Sequence, residues 1–149
     1  MTGAWFGHRY PKWRDLERHA EALGAVVVEN GTPKAAYIAD PSLGGPMIVI
    51  PKGLPPLERI WNLAHELGHL VQHTGPLPRS RMKQEAQADR WGSCALIPEA
   101  RIQAHGNACE DAFIAALSAH YQELPLHDCP ERRLAAKIAR IRLKTLEAA

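Results

Sequence analysis

The chain has 149 residues, 46% hydrophobic and 23% charged, with a formal net charge of +2. That is ordinary composition for a soluble domain with its own core, and too weakly basic to argue for nucleic acid on charge alone. No apolar run reaches membrane-spanning length, and the first nine residues lack the charged start and apolar stretch of a signal peptide.

Three cysteines, Cys94, Cys109 and Cys129, are far apart and form no C-x-x-C. They suggest neither a zinc ribbon nor a disulfide framework, which favours a reducing, cytoplasmic setting. The aromatic start, with Trp5, Phe6 and Tyr10, is expected to pack on the domain. A first helix is predicted from about Trp13 to Leu23, with Trp13, Leu16, Ala20 and Leu23 at helical spacing and Gly24 as its stop. Residues 25–29 read as a strand by β-branched content, Asn30-Gly31 as a turn, residues 35–40 as a second strand and Met47 to Ile50 as a third. The residues between, from Asp40 to Pro46, read as a loop. Three short strands linked by turns predict a small, mostly antiparallel sheet.

The next helix carries the chemistry. Pro55 and Pro56 suit its first turn, and Leu57, Ile60, Trp61, Ala64, Gly68 and Val71 form its expected core stripe. Within it lies His65-Glu66-Leu67-Gly68-His69, an H-E-x-x-H motif. Two histidines four residues apart stand about 6 Å along a helix axis and point from one face. So placed, they can grip one Zn²⁺, while Glu66 sits beside the ion and can take a proton from water that the ion activates. Gly68 costs about 1 kcal/mol of helix stability relative to alanine, which points to a close approach by a second helix or by substrate backbone. Thr74-Gly75-Pro76 is a sharp stop, and residues 76–79 make a short connection that favours antiparallel packing of the following helix.

That following helix, predicted over residues 80–97 and closed by Pro98, carries Glu85 and Asp89 one turn apart. Structural zinc takes four protein ligands, whereas a hydrolytic site takes three and keeps one position open. Glu85 can complete a His₂Glu set, and Asp89 can accept the remaining ring N–H of a ligand histidine. Ala86, Ala88, Trp91, Ala95 and Leu96 mark this helix as largely buried, where carboxylates need partners. Cys94 lies on it without a nearby histidine in sequence, a poor setting for a thiol nucleophile.

The remainder reads as helical. Residues 110–121 place Phe113, Ile114, Leu117 and Tyr121 at core spacing. Asp128-Cys129-Pro130-Glu131 starts a last helix as a capping box, running to about Leu146 with Leu134, Ile138 and Ile141 inward. Its other faces carry Arg132, Arg133, Lys137, Arg140, Arg142 and Lys144, which we weigh as a solvated face before a nucleic-acid contact. The expected architecture is α+β and one domain over 1–149, with the sheet and metal-binding helices in 1–98 and a helical part in 99–149.

The chain resembles the ImmA/IrrE family of zinc metallopeptidases. The resemblance rests on Ala64-His65-Glu66-Leu67-Gly68-His69 after a small sheet, on Glu85-Ala86-Gln87-Ala88-Asp89-Arg90-Trp91-Gly92 leading to Ala95-Leu96-Ile97-Pro98, and on a helical C-terminal part with Arg132-Arg133-Leu134. It implies a minimal zincin-like, gluzincin-like fold with one Zn²⁺ on His65, His69 and Glu85, and Glu66 as general base. Gln87 stands where the family signature often has a carboxylate; the E-x-x-x-D geometry points to Glu85 as the third ligand. The resemblance further implies a protease that cleaves a helix-turn-helix transcriptional repressor and so induces stress-response or mobile-element genes. An oxyanion partner is expected in addition, with His73, His120 and Tyr121 as candidates. The rival readings are a metal-containing module that regulates a repressor by binding it, and a DNA-binding regulator using the basic last helix. Direct nucleic-acid binding is not the expectation, nor is a membrane partner.

Overall fold

The structure is a computed structural model in which residues 5–39, 42, 44–72, 80–106 and 108–148 are described. Helix α1 (Trp13–Ala22) leads into strands β1 (Val26–Asn30), β2 (Ala36–Ile38) and β3 (Met47–Pro51). Five helices follow: α2 (Pro56–Gln72), α3 (Arg81–Leu96), α4 (Glu99–His105), α5 (Glu110–His120) and α6 (Pro130–Glu147). The α+β class expected from the sequence is the one observed. The predicted stop at Thr74-Gly75-Pro76, the connection through Arg79, and His73 lie outside the described residues, as do Asp40, Pro41 and Leu43 of the predicted loop.

The sheet is mixed, in the order β1-β3-β2. β3 pairs in parallel with β1, Val26 opposite Met47 through Asn30 opposite Pro51, and antiparallel with β2, Ala36 opposite Val49 through Ile38 opposite Met47. The mostly antiparallel sheet expected from the turn signals is therefore half right, and the reason is physical. β3 is the strand with an unbroken buried run, Ile48, Val49 and Ile50, and a strand buried on both faces belongs in the centre. Asn30-Gly31 does turn the chain, with the Asn30 side chain accepting from the Thr32 amide at 2.9 Å, an Asx-type turn. It does not form a hairpin, because β2 crosses to the far side of β3.

α2 is the central rod. It packs against α3, β3, α1, β2 and α6. Its buried residues are Leu57, Ile60, Trp61, Leu63, Ala64, Glu66, Leu67, Gly68 and Leu70. The predicted stripe omitted Leu63, Leu67 and Leu70 because it assumed one covered face, whereas a helix with sheet on one side and helices on the other is covered more widely. Val71 is half-buried. Near its start, Arg59 holds Glu29 of β1 through two bonds of 2.8 and 2.7 Å and lies 3.7 Å over the Trp13 ring of α1. One side chain thus ties three elements, and a bidentate guanidinium–carboxylate pair fixes their angle as well as their distance.

The N-terminal aromatics pack as expected. Trp5 is buried, and Phe6 stacks on Trp91 of α3 at 5.3 Å between ring centroids. Ile114 and Leu117 of α5 and Ala135, Ile138 and Ala139 of α6 join the same core. The start of α6 departs from expectation. Its cap is Cys129, whose Sγ accepts from the Arg132 amide at 3.4 Å, while Asp128 pairs with Arg133. The basic face is also divided: Arg142 is buried and donates to the Ile97 carbonyl at 2.8 Å, and Arg140 pairs with Glu110 at 2.5 Å.

Candidate metal centre

Antiparallel packing of α2 on α3 builds the site. His65 meets Asp89, His69 meets Glu85 and Gln72 meets Gln84, so numbers rise along one helix as they fall along the other. Both helices climb 1.5 Å per residue. A pair four residues apart on one is therefore matched in length by a pair four residues apart on the other.

Two glycines bring the helices this close. A Cβ on Gly68 would lie 2.8 Å from the Ala88 carbonyl oxygen and 2.9 Å from its Cα. A Cβ on Gly92 would lie 3.1 Å from the Trp61 ring. Of the two reasons the sequence allowed for Gly68, the structure has the approach of the second helix.

His65 Nε2, His69 Nε2 and Glu85 Oε2 converge. Glu85 contacts His69 directly and stands 3.5 Å from His65 Nε2. One ligand atom from each of the three residues lies within 4.8 Å of the others. Asp89 Oδ1 sits 2.8 Å from His65 Nδ1. That hydrogen bond places the ring proton on Nδ1 and leaves the Nε2 lone pair directed at the other two ligands. The donor set thus fits a divalent metal ion, and its mixture of imidazole and carboxylate suits zinc.

Burial works against a charge on His65, but its hydrogen bond to Asp89 and the charges of Glu66, Asp89 and Glu85 outweigh it and hold its pKa above the ordinary value. Glu66 is buried, and burial pushes its carboxyl up. Glu85 pushes the same way; His65, the Tyr37 backbone amide and Lys34 oppose it. A desolvated carboxylate 3.9 Å from His65 Nε2 is placed to exchange a proton with whatever occupies the space between them.

The four residues read as metal-binding or catalytic, His65, Glu66, His69 and Glu85, line one cleft of about 560 Å³, together with Asp89. Gln87 does not line it. The helix bearing Glu85 is less buried than its composition suggested: Ala86 is exposed, and the Glu85 side chain keeps 45% of its exposure. Of the oxyanion candidates, His73 lies outside the described residues, and His120 and Tyr121 fall elsewhere. His120 stacks on Tyr10 at 3.7 Å, and the Tyr121 hydroxyl donates to the Pro11 carbonyl at 3.0 Å. Cys94 is half-buried and outside the cleft.

Sequence reasoning missed several cleft residues: Lys34, Ala35, Ala36 and Tyr37 before and along β2, Asn62 and Trp61 on α2, Arg81 and Gln84 on α3, and Lys137 on α6. Asn62 and Gln84 carried a signal, since they lie three residues before His65 and one before Glu85. Tyr37 and Lys137 carried none.

A family profile described as the IrrE N-terminal-like domain, peptidase family M78, matches residues 20–122. The chain belongs to this family. The matched span contains the sheet, both ligand-bearing helices and all five residues of the centre, and membership supports a metallopeptidase-type function. No curated protein and no solved structure gives a significant match. Among the described residues no helix is long and apolar enough to cross a membrane.

Proposed function

We propose that this IrrE-like domain is a zinc-dependent endopeptidase. The observation that carries the reading is the convergence of His65 Nε2, His69 Nε2 and Glu85 Oε2 in an open cleft with the buried Glu66 carboxylate beside them. Three protein ligands are what a hydrolytic zinc site uses, with one position left for chemistry. When bound there, the ion supplies an electrophile for the scissile carbonyl and makes water easier to deprotonate.

The chain's own groups do the rest. Asp89 holds His65 in the tautomer and orientation a ligand needs. Glu66 takes the proton of the attacking water at a carboxylate oxygen and returns it to the leaving amine. Among the described residues β2 is an edge strand, bonded in the sheet to β3 alone, and residues 34–37 border the cleft. An extended peptide can add to that edge by main-chain hydrogen bonds, which positions a peptide bond without demanding one sequence. The Tyr37 amide is already engaged with Glu66, so the strand also fixes the base.

The substrate class we propose, a helix-turn-helix transcriptional repressor met in the cytoplasm, rests on the resemblance to ImmA/IrrE proteases. Glu66→Gln keeps the metal ligands and removes the base. The variant should bind zinc as wild type does and lose cleavage of the repressor by about two to four orders of magnitude, the usual contribution of general acid–base catalysis. Undiminished cleavage by that variant would remove Glu66 from the mechanism.

A further inference from the structure

Beyond the hydrolytic chemistry, the cleft has a charge pattern of its own. Its carboxylates are engaged: Glu85 with His69 and His65, Asp89 with His65, and Glu66 beside His65 with the Tyr37 amide. Among the described residues its cations form no ion pair, although Lys34 lies near enough to Glu66 to favour the charged carboxylate. Lys34 precedes β2, Arg81 opens α3 and Lys137 projects from α6, and all three are exposed. Among the described residues none has a carboxylate within 4.0 Å. Lys137 instead stands 6.0 Å from the Trp61 ring centroid, a distance at which the ring face holds an ammonium without neutralising it.

Three separate stretches of the chain thus bring a cation without an ion-pair partner among the described residues to one cleft. Lys137 lies beyond residues 20–122, the span that matches the family profile. With a divalent ion bound, the three protein carboxylates offset Lys34, Arg81 and Lys137, and the charge of the ion is left over. A cleft of net positive charge between low-dielectric walls raises the local concentration of anionic ligands.

We propose that Lys137, with Arg81 and Lys34, selects peptides that present a carboxylate beside the scissile bond. The carboxylate comes from a Glu or Asp side chain or from the free C-terminus of a peptide. This inference rests on the peptidase reading for why a peptide is there, but its test needs no turnover.

The probes are labelled dodecapeptides, identical except for four central Glu, Gln or Lys residues and amidated at the C-terminus. A fourth is the Gln peptide with a free carboxylate end. Fluorescence anisotropy against the zinc-loaded full chain gives their affinities. The Glu peptide should bind about fivefold more tightly than the Gln peptide, the effect of one or two exposed ion pairs, and the difference should shrink as salt is raised. A gain for the free-ended peptide alone assigns the recognition to chain termini; a gain for the Glu peptide alone assigns it to side chains.

Lys34→Gln/Arg81→Gln/Lys137→Gln should abolish the preference at unchanged zinc content, which separates it from direct binding of carboxylate to the metal. Lys137→Glu should favour the Lys peptide. Equal binding of the Glu, Gln and free-ended peptides by wild type overturns the proposal, as does a preference that survives the triple substitution, or no binding by any peptide. Those results leave the Glu66→Gln test untouched, and cleavage persisting in Glu66→Gln leaves the carboxylate preference readable.

Discussion

In the proposed metal centre, Asp89 acts through His65. Its 2.8 Å contact with Nδ1 sets the ring's tautomer, and loss of such a partner typically lowers metal affinity 10- to 100-fold. Asp89→Asn should therefore weaken zinc binding by about that factor in a chelator competition, without disturbing the fold; unchanged affinity would reduce Asp89 to a surface group. A second histidine, His19, makes a different prediction. The residue is 5% exposed, and its ring lies among Trp5 and Trp91, at 5.7 and 5.6 Å between centroids. Burial holds its pKa below the ordinary 6.5. The unfolded chain then binds a proton before the folded one does, so stability is whole above about pH 6.5 and is lost as pH falls through the unfolded and then the folded value. His19→Leu should flatten that decline, read as the difference in urea-unfolding free energy between pH 7.5 and pH 5. An equal decline in variant and wild type would place the acid sensitivity elsewhere.

At the scale of elements, the α2–α3 spacing decides whether Glu85 reaches the imidazoles. Gly68 faces the backbone of Ala88, which cannot rotate aside as a side chain would. Overpacking a tight contact costs about 1–3 kcal/mol, while alanine returns about 1 kcal/mol of helix propensity. Gly68→Ala should give a net loss of up to about 2 kcal/mol in urea unfolding, with weaker zinc binding because Glu85 moves with its helix. A variant stabilised by the propensity gain would mean the helices are free to separate. These two helices were legible in the sequence because each carries its own start, stop and spacing: Pro56 opens one, and Ser80, accepting from the Lys83 amide at 3.0 Å, caps the other. The parallel pairing of β1 with β3 was not, since a strand's pattern shows its buried face and not its partner. α4 escaped notice as well. It has seven residues, none buried, so no periodicity marks it. Only Pro98 before it and Gly106 at φ 64° after it signal its ends.

Across the whole molecule, the centre draws its parts from distant stretches of one chain. The candidate metal-binding trio was readable as a constellation because it lies within twenty-one residues on two periodic helices. The cleft walls were not. Tyr37 and Lys137 reach it from β2 and α6, and no local pattern tells a residue which cavity it will border. The basic face of α6 shows the same limit. As a sequence it reads as one cationic stripe, but folded, Arg142 caps the end of α3, Arg140 holds α5 and Lys137 enters the cleft. The core joins α1, the sheet and α2 to α5 and α6, so the metal site is anchored on both sides.

Two imidazoles of α2 and one carboxylate of α3 are placed to share a single divalent ion. Zinc content per chain, measured after dialysis for wild type, His69→Ala and Glu85→Ala, tests it most directly. One zinc per wild-type chain and near-complete loss in both variants is the expected result; stoichiometric zinc retained by Glu85→Ala and His69→Ala rules out a shared ion.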